Sequence, residues 1–161
     1  MCQMCEEPER SGPQYLIEPL YLTEALDQIR EYGWCVQGVL GTGSRPSWAY
    51  TAGLTAQGMP ELAVTGLPPY QAVYLLDVAA EHALQTGPPI PGQQWLLPRL
   101  PRVEAVRIST PAVHLDVAVS CYGEEIQAVQ LVYADPEGRF PWSPHYNLGL
   151  GGQPVLGVRD A

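Results

Sequence analysis

A chain of 161 residues that is 46% apolar and 16% charged is long enough for one domain with its own core, and too apolar to be disordered. Its formal charge is −9 and its eight basic residues are all arginine. The lack of lysine excludes a pyridoxal-type Schiff base and a P-loop nucleotide site, and the acidic balance argues against nucleic acid as a partner.

Residues 1–19 read as an N-terminal arm carrying Cys2 and Cys5, and the opening MCQMCEEPERSGP is too acidic and polar for a signal peptide. No run approaches the roughly 20 apolar residues a membrane span needs. The expected setting is therefore the cytoplasm, with thiols in place of disulfides. Residues 20–157 read as a single domain and 158–161 as a tail.

From Leu20 to Tyr32 the pattern is helical, with Leu22, Ala25, Leu26 and Ile29 on one face and Gly33 as its cap. Trp34 to Leu40 reads as a strand, with Trp34 and Val36 on one face and Cys35, Gln37 and Val39 on the other. A turn over 41–46 leads to an antiparallel strand from Ser47 to Leu54, and Glu61 to Thr65 reads as a third. Pro68 and Pro69 open a helix whose stripe is Val73, Leu76, Ala80 and Leu84 and which Gly87 ends. It carries His82 beside that stripe, where a structural role is expected. Five prolines between Pro88 and Pro101 demand irregular chain, with Trp95-Leu96-Leu97 over the core.

Arg102 to Ile108 reads as a strand. Val113 to Tyr122 fits either a strand, by alternation, or a helix opened by Thr110-Pro111. Gln127 to Ala134 is a strand and Asp135-Pro136-Glu137-Gly138 a turn. The Gly- and Pro-rich end from Phe140 wraps the surface. Strands and helices without regular alternation predict an α+β class with a mainly antiparallel sheet and two or three packed helices.

Nine Tyr and four Trp stand against one Phe, rings that suit either core edges or a half-wet cleft. A cleft walled by Trp34, Tyr50, Thr51, Gln130 and Trp142, with His145 on the proline-held loop GRFPWSPHYNLG, is the expected ligand site. Cys2 and Cys5 form C-x-x-C, which is half of a zinc site, a redox pair, an N-terminal nucleophile at Cys2 if Met1 is removed, or an unremarkable piece of arm. Asp135 with His145 offers an acid–base alternative. The standard catalytic motifs are missing: no G-x-S-x-G, no H-E-x-x-H and no G-x-G-x-x-G.

In order along the chain, MCQMCE, GWCVQGV, WAYTAGL, PELAVTGLP, QLVYADPEGRFPW and GQPVLG resemble the bacterial domain-of-unknown-function 4262 family, from Cys2 to Gly157. The resemblance implies that Tyr50-Thr51, Gly53-Leu54, Pro60-Glu61-Leu62 and Gly66-Leu67 form the fold-defining centre. It also favours helix over strand for Val113–Tyr122. Tyr133 stands where the family often has Trp, and His145 falls in none of the matching motifs. No activity follows from the resemblance. The functional readings are a binding or regulatory module for a small molecule or peptide, and a thiol- or metal-dependent hydrolase on Cys2/Cys5 or Asp135/His145. A third is an interaction protein, a homodimer built on an exposed edge strand and the 88–101 segment.

Overall fold

The structure is a computed structural model that describes residues 19–160. Cys2, Cys5 and nearly all of the expected arm lie outside the described residues. The elements run α1 (Pro19–Tyr32), β1 (Cys35–Val39), β2 (Trp48–Ala52), β3 (Glu61–Thr65), α2 (Pro69–Thr86), β4 (Gln94–Trp95), β5 (Val103–Arg107), α3 (Pro111–His114), α4 (Asp116–Tyr122) and β6 (Ala128–Tyr133). The six strands make one sheet in the order β1-β2-β3-β6-β5-β4. Every pairing is antiparallel except β3 with β6. That parallel pair needs a long crossover, which α2, the β4–β5 hairpin, α3 and α4 supply. The domain is α+β with a mainly antiparallel sheet.

Strand alternation sends side chains to two cores, one on each face of the sheet. Ala49, Leu62, Val64, Val103, Ala105, Val129 and Leu131 pack against α2. Cys35, Tyr50, Ala52, Ala63 and Ala128 pack on the opposite face against α1 and α4, through Ala25, Leu115, Val117 and Ala118. Trp34 and Val36 join the α2 side, and Val39 the other, as the alternation of β1 predicts.

Helix α1 ends where Gly33, at φ 95°, donates its backbone N–H to Ile29 O at 2.9 Å. Helix α2 starts as the prolines dictate, but its buried stripe is Ala72, Leu75, Leu76, Ala79, Ala80 and Ala83. Val73 and Leu84, assigned to that stripe from the sequence, are each 41% exposed. The helix is rotated so that alanines meet the sheet, which lets the two backbones approach closely. His82 lies edge-on to Trp95 at 4.6 Å, and the Pro-rich stretch is irregular apart from β4. Trp95 and Leu97 are buried while Leu96 is exposed.

Residues 111–122 are helical, broken at Leu115 (φ −116°, ψ 61°), whose side chain is fully buried. The alternation of Val113 with Leu115 is misleading, because Val113 is 62% exposed. Thr110 precedes Pro111 at the helix start, but its side chain makes no capping bond.

The end of the chain is stitched to the sheet. Gly157 bridges Ile108, and Pro154 O accepts from Thr65 Oγ1 and Gln130 Nε2 at 2.8 and 2.9 Å. Arg159, placed in a tail by the sequence, grips Glu104 of β5 through Nε and Nη2. No described helix is long and apolar enough to cross a membrane.

Candidate functional site

The sequence-derived site residues fall in separate places. Tyr50 is 2% exposed and its hydroxyl accepts the Val117 N–H at 2.9 Å. Burial pushes that hydroxyl's pKa well up. Thr51 is fully buried, its Oγ1 donating to Glu61 Oε2 at 2.7 Å and accepting from the Leu62 N–H at 2.9 Å. Gln130, equally buried, donates to Thr65 Oγ1 and Pro154 O and accepts from the Leu156 N–H. These three side chains are consumed by internal bonds, so they cannot wall an open cleft, and the expected shared hollow is corrected to a core. Trp142 instead stacks on Phe140 at 4.9 Å, with the Arg159 guanidinium 4.1 Å over its ring. His145 is exposed, its backbone N–H donating to Ser143 Oγ at 3.3 Å.

Asp135 is not paired with His145. Its carboxylate accepts the backbone N–H groups of Glu137, Arg139 and Asn147 and the Arg139 Nε–H. Burial acts to raise its pKa, but the Arg139 and Asn147 N–H groups and the Arg139 charge outweigh it and hold it below the ordinary value. A small cavity of about 240 Å³ adjoins this turn, lined by Tyr133, Asp135, Tyr146, Asn147 and Gly152 among others. Its polar groups are largely spent on internal bonds. Tyr133 OH donates to Thr65 O, and Gln153 Nε2 donates to Tyr146 OH and to Tyr133 O. This is the joint that locks the chain end.

Glu61, read from the sequence as the start of a strand and placed by the family resemblance in the fold-defining centre, is the buried polar hub. It is fully buried and accepts from Thr51 Oγ1, the Gly53, Leu54 and Thr55 N–H groups and Thr55 Oγ1. The backbone groups come from the 3₁₀ turn Leu54–Gln57 and the glycine before it, at φ 131°. The chain thus fills its own anion nest. Cys35 and Cys121 are free thiols nearby, and burial pushes both up, with Glu61 adding to the effect. Among the described residues, no group of three or more His, Cys, Asp or Glu side chains is placed to hold a metal ion.

The open site lies at the edge of the sheet. Helix α1 covers one face of β1 and α2 the other, so a groove of about 530 Å³ opens between them along the first strand. It is lined by Gln28 and Tyr32 of α1, Trp34 and the start of β1, and Val73, Asp77 and Glu81 of α2. Val73, Asp77 and Glu81 are four residues apart and so share one line on the helix surface. Trp34 Nε1–H donates to Asp77 Oδ1 at 3.0 Å, joining β1 to α2. The second Asp77 oxygen and the Glu81 carboxylate have no hydrogen-bond or ion-pair partner among the described residues. Among the described residues, no basic side chain lines the groove. Of the predicted site residues, Trp34 is the one placed here. Tyr32, Asp77 and Glu81 were readable in the sequence only as ordinary exposed helix positions, because their convergence depends on how two helices straddle one strand.

The fold and the groove define a small α+β domain with an aromatic and acidic cleft at a sheet edge. The chain belongs to the family described as Domain of unknown function (DUF4262), whose model matches residues 28–147. That span holds the four central motifs; MCQMCE and GQPVLG lie outside it. No curated protein and no solved structure matches the chain.

Proposed function

We propose that the protein is a binding module whose groove between α1, β1 and α2 takes a cationic ligand, a guanidinium or ammonium group carried by a small molecule or a peptide. The observation that carries this reading is the groove's lining: Trp34 and Tyr32 beside Asp77 and Glu81, with no basic group among the described lining residues to neutralise them. Carboxylates supply charge, and the ring faces attract a cation placed over them. The volume of about 530 Å³ sits in the range typical of ligand sites. A cytoplasmic setting goes with this reading, supported by the free thiols of Cys35 and Cys121.

The test is an NMR titration of the ¹⁵N-labelled protein with butylguanidinium and, in parallel, with butyrate. The expected result is a saturable shift of the Trp34 indole N–H and of the Val73, Asp77 and Glu81 amides with the cation alone. Equal responses to both ions, or shifts confined to other regions, would contradict the assignment.

A further inference from the structure

The groove's floor is the outer edge of β1. β1 pairs with β2 over Cys35–Val39, and it stands at the end of the sheet with no strand on its outer side among the described residues. In an antiparallel pair, alternate residues bond to the neighbour and the rest turn N–H and C=O outward. No described backbone or side-chain group bonds to those outward groups of residues 36–39. Gly38 is exposed, and a Cβ built there would meet nothing within 4 Å, so the face of the sheet is uncovered at that position. Soluble proteins usually blunt such an edge with a charge, a proline or a bulge. The residues of this one are Cys, Val, Gln, Gly and Val.

Resting on the binding-module reading above, we infer that the occupant is an extended basic peptide segment that adds to β1 as a further strand. A strand placed there continues the pleat. Its side chains alternate between the α2 face, where Val73, Asp77, Glu81 and the Trp34 ring wait, and the α1 face, with Gln28 and Tyr32. Basic residues at every second position therefore meet the acidic wall. Main-chain bonds supply affinity and the alternating pockets supply selectivity. Charge selects this occupant over two others. A second copy of the chain would bring a second Asp77–Glu81 pair and another net charge of −9 to the same edge. The segment preceding α1 carries Glu6, Glu7, Glu9 and Glu18 against Arg10, the wrong sign for this wall.

The experiment uses isothermal titration calorimetry with the full chain and a peptide of about eight residues, enough to span the strand, with Arg at alternate positions and Val or Thr between. Two N-methylated versions are compared, each methylated on one alternating set of amides. Strand addition predicts that one methylated peptide loses binding and the other keeps it, since only one set faces β1. Asp77→Asn with Glu81→Gln keeps the acceptor for Trp34 while removing both charges, and should weaken binding about tenfold. Equal binding of both methylated peptides overturns strand addition; if butylguanidinium still shifts Trp34, the groove assignment survives. No binding by the peptide overturns the inference, and silence from butylguanidinium as well removes the groove reading with it. A concentration-dependent dimer in sedimentation that the peptide does not dissociate would assign the edge to a second copy instead.

Discussion

Glu61 carries more of the centre of this fold than its place in a five-residue strand suggests. Its two oxygens collect three backbone N–H groups and two hydroxyls, all of them buried except the pair from half-buried Thr55. Removing the carboxylate orphans several buried donors at once, and orphaned donors cost more than the bond they lose. Glu61→Ala should therefore lower unfolding stability by about 3 kcal/mol or more, read from urea denaturation. A loss below about 1 kcal/mol would mean that the nest is relaxed or wet. The residues around it, WAYTAGL and PELAVTGLP, carry much of the family likeness, and the structure gives a physical reason. Thr51, Gly53, Leu54 and Glu61 form one hydrogen-bonded unit, so their spacing is set together. A sequence displays each member, but it does not display that a threonine in one strand caps a carboxylate in the next.

At the scale of elements, helix and strand positions were legible because period and punctuation agree. Gly33 ends α1, Pro69 opens α2, and alternation marks the two faces of β1. What failed was the rotation of α2, where alanines displaced Val73 and Leu84 from the sheet, and the break at Leu115. Neither follows from a local pattern, since both depend on the shape of the opposing surface. The docked chain end was legible only as composition. It is held in part by Glu104, whose carboxylate is buried and gripped by Arg159 and Gln94. Burial alone would raise the Glu104 pKa, but the Arg159 and Gln94 bonds outweigh it and leave it lowered. A lowered carboxyl pKa gives stability that is present above the ordinary value of 4.5 and is lost as pH falls through the folded value. Thermal melts should thus show the wild type losing midpoint below about pH 4.5, with Glu104→Gln lower at neutral pH and flatter in acid. Identical acid profiles for the two would remove Glu104 from the account. Arg159→Ala should expose the segment after Tyr146 to proteolysis, because the same guanidinium lies over Trp142.

For the whole molecule, the arrangement that matters is a sheet edge between two helices. Trp34 could be singled out from sequence as an amphipathic ring beside a strand, yet its partner Asp77 lies 43 residues away and only the packing of α2 brings them together. The rings expected to share its cleft went elsewhere. Tyr50 was needed in the core against α4, and Trp142 anchors the returning chain. The acidic character of the chain, which argues against nucleic acid as a partner, is local at the groove, where Asp77 and Glu81 are the basis of the cationic ligand proposed above. Backbone hydrogen exchange of the full chain, followed by mass spectrometry or NMR with and without a saturating alternating-arginine peptide, tests this most directly. Slower exchange at alternate amides of β1, together with protection along the Asp77–Glu81 line of α2, is the predicted result. Protection that leaves residues 34–39 untouched and appears at the Asp135–Gly152 joint would contradict it.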